Sequence, residues 1–233
     1  MVYKQFFFCI FEDGYCRLFL FMDTDLFGFI SSSLSLLPFI IALIYIKKVK
    51  AFLIPIFVLV IVNVCVEVLT SIYVKYDRNT NEILHIFTVV EFCLISVFFA
   101  LFFKKYFNPI IINSLIPPFC ILAYLDYKIN GLNTTVSLSL TVESFILVVY
   151  TLFFFYYVLK NLIFDDLLSR PVFWVCTAIL FYFSGNFVLF VCGKYMARVD
   201  LNKYVIFWTI IHTFFNLLYN VFLSLGFWKA RIK

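Results

Sequence analysis

Apolar residues run in seven long stretches, 26–46, 51–72, 83–103, 107–124, 136–158, 172–191 and 205–227, and polar residues gather in the short segments between them. About 20 apolar residues in a helix cross the hydrocarbon core of a bilayer, so each stretch reads as a membrane-spanning helix. The pattern predicts an all-α polytopic membrane protein, a bundle of seven transmembrane helices occupying 26–228. Pro117 and Pro118 interrupt the fourth stretch. Each removes a backbone donor, which predicts a kink or break at membrane depth, held only where protein or water satisfies the freed carbonyls.

The two ends depart from this pattern. Residues 6–11 are apolar, but Glu12 and Asp13 stop the run far short of a span, and no small-residue cleavage site follows, so neither a spanning helix nor a secretory signal fits the tail at 1–25. Two readings remain for it: Met22 is the true start, leaving Asp23 and Asp25 just ahead of the first helix, or the tail is a short amphipathic segment lying on the membrane surface. Residues 229–233 form a short basic tail. With 65% of residues hydrophobic and 13% charged, no second, water-facing domain fits. The net charge of +5 is spread over short loops on both faces, which argues against nucleic-acid binding. Of the cysteines, Cys9, Cys16, Cys65, Cys93, Cys120, Cys176 and Cys192, no two form a C-x-x-C pair. They read as small apolar packing residues, not as a disulfide framework or zinc cluster.

Basic residues set the orientation. With the N-terminus outside, the inner face collects ten: Lys47, Lys48, Lys50, Lys104, Lys105, Lys160, Arg170, Lys229, Arg231 and Lys233. The outer loops hold six, Lys75, Arg78, Lys128, Lys194, Arg198 and Lys203, and Lys4 and Arg17 of the tail raise that to eight. The bias predicts an external N-terminus and a cytoplasmic C-terminus.

Against this background the polar residues inside the spans stand out. Glu67, Glu91, Glu143 and His212 lie within stretches that otherwise dissolve in lipid, where an ionisable group costs about 2.5–3.5 kcal/mol on insertion scales. Taking a rise of about 1.5 Å per residue, these four and Asn186 all fall roughly 8–12 Å below the outer surface. Five residues on five helices in one layer predict an outward-facing polar pocket for a small ligand or proton; separate helix–helix hydrogen bonds are the competing reading. Asn63, Thr88 and Ser139 lie about one turn from Glu67, Glu91 and Glu143, on the same helix faces. On the seventh stretch His212, Asn216, Asn220 and Ser224 repeat every four residues, a polar stripe that must face the bundle interior. Ser184-Gly185-Asn186 on the sixth allows close helix approach, with Asn186 able to bridge helices.

Metal chemistry has weak candidates. Glu82 and His85 form Glu-x-x-His, the spacing of di-iron carboxylate bundles, but that site needs two such motifs and two further Glu residues. Intramembrane hydrolases of the ceramidase and adiponectin-receptor type carry His-x-x-x-His on the last helix; here the spacing reads His212-x-x-x-Asn216, so the resemblance fails at the metal. A retinal protein is argued against because the seventh stretch contains no lysine for a Schiff base. The plan of three helices, a linker helix and three more resembles that of small sugar transporters, whose prolines on helices one, two, five and six are matched here only by Pro38 and Pro55.

The segments 81–91 (NEILHIFTVVE), 181–187 (FYFSGNF) and 212–220 (HTFFNLLYN) resemble small, uncharacterised seven-helix integral membrane proteins of Bacteroidetes-type bacteria. The resemblance implies a multi-pass protein of the bacterial inner membrane and carries no activity with it. Three function classes follow from the residues. The leading one is a sensor, receptor-like or accessory protein binding a small ligand or proton, which needs a membrane or cytoplasmic protein partner because the inner loops are too short to signal alone. The others are a proton-coupled or small-solute transporter and an intramembrane enzyme acting on a lipid, for which no nucleophile or complete metal set is visible. No cofactor is implied, and the partner common to all three is the lipid bilayer. The topology predicts that a phosphatase fusion at the C-terminus is inactive and a cytoplasmic reporter there is active; the reverse result overturns the orientation.

Overall fold

The computed structural model describes residues 33–230, except Val49, Asp77, Asn79, Lys105, Phe107, 131–137 and Phe164. The tail at 1–25 with Met22, Cys9 and Cys16, and residues 231–233, lie outside the described residues. Every regular element among those described is helical: α1 Ser33–Ile44, α2 Ile54–Lys75, α3 Asn81–Phe103, α4 Ile110–Asn113, α5 Ile116–Asn130, α6 Leu138–Lys160, α7 Pro171–Val199 and α8 Leu201–Lys229. Two 3-10 turns, Ile46–Lys48 and Ala51–Leu53, carry the chain from α1 into α2. Six segments are long and apolar enough to cross a membrane, α4 and α5 counting together, while α1 as described is a shorter apolar helix. The chain is thus a multi-pass integral membrane protein whose outer surface meets lipid.

Side chains sort by face with helical spacing. On α6, Glu143, Leu147, Thr151, Phe154 and Val158 are buried, whereas Phe145, Val149, Leu152, Tyr156 and Leu159 are exposed, and these exposed faces are the lipid contact surface. The core is aromatic toward the ends of α3 and α6 that follow Glu91 and Glu143. There Phe102 and Phe154 meet edge-on with centroids 5.1 Å apart, and Phe99 meets Tyr150 at 5.7 Å, a geometry favoured by ring quadrupoles. α3 is the central helix of its half, touching α2, α4, α5 and α6. α5 is peripheral, with Ile121, Tyr124, Leu125 and Ile129 exposed.

The break in the fourth stretch falls just before the prolines. α4 ends at Asn113 and α5 begins at Ile116, so Pro117 and Pro118 occupy the first turn, where no helical partner for an N–H exists. At the break the Ser114 hydroxyl donates to Ile111 O at 2.8 Å, and the Tyr150 hydroxyl, from α6, donates at 3.0 Å to Ile112 O, which also accepts from the Leu115 backbone N–H at 3.4 Å.

α7 and α8 form the most extensive helix pair. The hydropathy pattern sets thirteen connecting residues, 192–204, between them, but both helices continue and only Asp200 is non-helical, extended at φ −155 and ψ 101. Loss of apolarity marks the end of the lipid core and does not by itself end a helix. Two glycines let the pair close. A Cβ on Gly185 would run into the Phe215 ring, and one on Gly226 would stand 2.9 Å from a Val175 methyl and 3.4 Å from the Pro171 carbonyl. The close approach anticipated at Ser184-Gly185-Asn186 is therefore present. Gly226→Leu should destabilise the chain by about 1–3 kcal/mol through overpacking, more than Gly185→Ala, whose clash the half-exposed Phe215 ring relieves by turning. Thermal unfolding in detergent reads the order; equal melting temperatures for both variants and the native chain would remove this account of the pair.

Candidate functional site

The polar side chains of the layer expected from the sequence fall into three local arrangements. Between α1 and α2 the Ser35 hydroxyl donates to Glu67 Oε2 at 2.6 Å, and the Glu67 carbonyl accepts from Thr70 at 3.0 Å and Ser71 at 2.8 Å. Between α7 and α8, His212 Nδ1 lies 3.0 Å from Asn186 Oδ1, while Asn186 Nδ2 donates to its own helix at Tyr182 O, 2.9 Å away. The His212 ring is stacked on Trp208 with centroids 5.9 Å apart and meets Tyr182 edge-on at the same separation, so ring packing and the amide together fix the imidazole.

The third arrangement joins Glu91 of α3 to Glu143 of α6. Both are buried, at 7% and 0% exposure, and they lie within electrostatic range of each other and of Tyr219 on α8. Neither oxygen of Glu143 has a hydrogen-bond partner. A small cleft opens at Glu91, lined also by Asn63, Phe87, Tyr219 and Asn220. Asn220, 1% exposed, donates its Nδ2 to Asn216 O at 2.9 Å and Oδ1 at 3.2 Å, which leaves Asn220 Oδ1 buried with no partner. Glu143 is not part of this lining, which sets the Glu91 carboxyl and the Asn220 amide on one cleft with the Asn63 amide and the Tyr219 hydroxyl. Leaving buried acceptors unmet costs about 1–3 kcal/mol each, and more for a charge.

The five residues of the shared layer thus divide as Glu67 with Ser35, Asn186 with His212, and Glu91 with Glu143, with Asn63 of α2 on the cleft one turn from Glu67. Other members of the polar pattern serve their own helices. Thr88 donates to Leu84 O at 2.9 Å and Ser224 to Asn220 O at 2.6 Å, the back-bonding usual for hydroxyls inside helices. His85 meets Tyr127 edge-on with centroids 5.8 Å apart, and Glu82 is exposed. Among the described residues no three or more His, Cys, Asp or Glu side chains gather as a metal would require.

Sequence reasoning missed two participants. Asp126, 4% exposed on α5, accepts from the Ser139 backbone N–H at 2.9 Å and from its hydroxyl at 2.7 Å. It caps the start of α6 from a neighbouring helix, where a carboxylate is favoured by the exposed N–H groups and the helix dipole. The Ser139 hydroxyl proton, read in the sequence as support for Glu143, goes to Asp126. Tyr219 is the other, one of 15 tyrosines with no spacing to single it out. No family model, curated protein or solved structure matches this chain.

Asp126→Ala removes the cap and should lower stability by about 1–2 kcal/mol. Because Ser139 is the partner, Ser139→Ala in the same chain should add much less than it costs alone. Additive losses in a double-mutant thermal-unfolding cycle would separate the two residues.

Proposed function

We propose that this chain is a seven-span protein of a bacterial inner membrane, N-terminus outside and C-terminus inside, acting as a receptor-like or accessory subunit. In this reading the Glu91–Glu143 pair binds a proton or small cation, and a protein partner carries the response. The observation that supports it most is that both oxygens of the fully buried Glu143 carboxyl have no hydrogen-bond partner, while Glu91 and the unmet Asn220 amide oxygen belong to residues of one small cleft. A positive guest is what such a cluster stabilises, since burying bare negative charge costs several kcal/mol per ion. Glu67 and His212 stay part of the proposed outward-facing layer as supports, through Ser35 and Asn186.

Transport is the second reading, favoured by the stripe Asn216, Asn220 and Ser224, which leads from the cleft toward the C-terminal end of α8. What weighs against it is that Asn220 and Ser224 spend their donors on their own helix, and no ionisable group continues the stripe as a proton relay needs. Two measurements test the proposal. Glu143 interacts electrostatically with Glu91 and Cys93 on α3 and with Tyr219 on α8, so on the proposed reading the melting temperature of the purified chain should respond to pH or salt cation. Glu143→Gln should flatten that response. Liposomes carrying the protein should hold an imposed proton gradient as well as empty ones do. Collapse of the gradient in proportion to protein, stopped by Glu91→Gln, establishes transport instead.

A further inference from the structure

We propose that Cys93 of α3 and Cys120 of α5 form a redox-active dithiol at mid-membrane depth, oxidised to a disulfide by a lipid-soluble quinone. Helix register brings the two together. α3 and α5 lie side by side, with His85 edge-on to Tyr127 at 5.8 Å between ring centroids and Phe92 against Phe119 at 4.0 Å. The partners run in opposite order along the two helices, so the pair is antiparallel, and next to Phe92 and Phe119 the Cys93 and Cys120 side chains share a hydrogen bond. A disulfide joins sulfurs about 2.05 Å apart, so two thiols already in contact need only a short approach. Both stand near the middle of their spans, 81–103 and 110–129. No C-x-x-C spacing announces such a couple, because its members come from different helices.

The surroundings select the oxidant. Both thiols are free and only partly buried, and Ile121 and Tyr124, one residue and one turn beyond Cys120, are exposed on the lipid-facing side of α5. Charged thiols of the aqueous phase do not enter hydrocarbon, and an apolar setting disfavours the thiolate on which exchange with them depends. The state of the couple therefore follows the lipid phase and not the water. An oxidant that reaches it must dissolve in lipid and accept two electrons with two protons, as a quinone ring does. Both S–H bonds break and one S–S bond forms; the two electrons and two protons pass to the quinone oxygens, giving a quinol. α5 also carries Asp126, which caps α6 through Ser139, so a bond that fixes α5 on α3 bears on the helix that holds Glu143.

The test uses the whole chain, reduced, freed of reductant and reconstituted in liposomes under nitrogen, with a fully substituted benzoquinone carrying a decyl tail as the probe. Quinone should yield a Cys93–Cys120 linked peptide in the non-reduced digest, seen by mass spectrometry, and one quinol per disulfide by absorbance. Dithiothreitol added after solubilisation should remove the linked peptide. Cys93→Ser and Cys120→Ser should each abolish both signals, and Cys65→Ser, on α2, should keep them. Absence of the linked peptide, or of quinol formed in step with it, overturns the couple, and the native chain alone decides this if neither variant folds. A linked peptide obtained only with copper phenanthroline in air shows that the thiols meet but overturns quinone as their oxidant.

Discussion

Hydrocarbon offers neither donors nor acceptors, so every polar side chain that enters a span must be met by protein. The placement of polar groups in this chain follows from that one demand. Hydroxyls at Thr88, Ser144, Thr151, Thr177 and Ser224 turn back on the carbonyl four residues earlier, the least expensive solution because it involves no second helix. Ser35 and Glu67, Asn186 and His212, and Asp126 and Ser139 solve it between helices, and each such bond also fixes how two helices face each other. The solution is incomplete at the hydroxyls of Ser96, Tyr204 and Thr209, at the Asn220 amide oxygen and at both oxygens of Glu143, and the carboxyl of Glu143 makes it the functional suspect among them.

The same demand explains why the tightest helix pair is built on glycine. Lipid tails are as apolar as leucine, so helices in a bilayer gain little by hiding apolar surface from solvent, and close van der Waals contact has to hold them together. Gly185 and Gly226 stand at two levels of the α7–α8 contact, one against Phe215 and the other against Val175. Between them the Tyr182 and Tyr219 rings lie with centroids 4.8 Å apart. The aromatic block of α3 and α6 serves the same purpose with bulk in place of closeness.

The spacing of polar residues along each helix was legible in the sequence and rotation was not. Counting residues from the ends of apolar stretches places Glu91 and Glu143 at comparable levels, and four-residue spacing puts Asn216, Asn220 and Ser224 on one face. Which helix each face meets is another matter. In water a helix advertises its buried side by the contrast between apolar and polar residues, but in lipid Phe145 and Leu147 look alike although one is exposed and the other buried. The partner of Ser139 was hidden for this reason, since Asp126 sits beside Tyr127 and Lys128 in what reads as the frayed end of a weak span. The proline break was legible as an event, but the Tyr150 hydroxyl that bonds Ile112 O beside it was not, because no local pattern ties the two residues. The continuation of α7 and α8 past the apolar stretches was hidden because hydropathy reports solvent, not backbone.

A single extended residue at Asp200 separates two helices of 29 residues each. At about 1.5 Å per residue these helices are roughly 43 Å long, longer than the roughly 30 Å hydrocarbon core. The excess lies at the Asp200 end, beyond the apolar spans 171–193 and 206–229, so the α7–α8 contact continues past the lipid core. There Tyr204 and Trp208 pack with Leu189 and Phe190, which makes this end of the pair a place where burial from water, and not only van der Waals closeness, holds the two helices together.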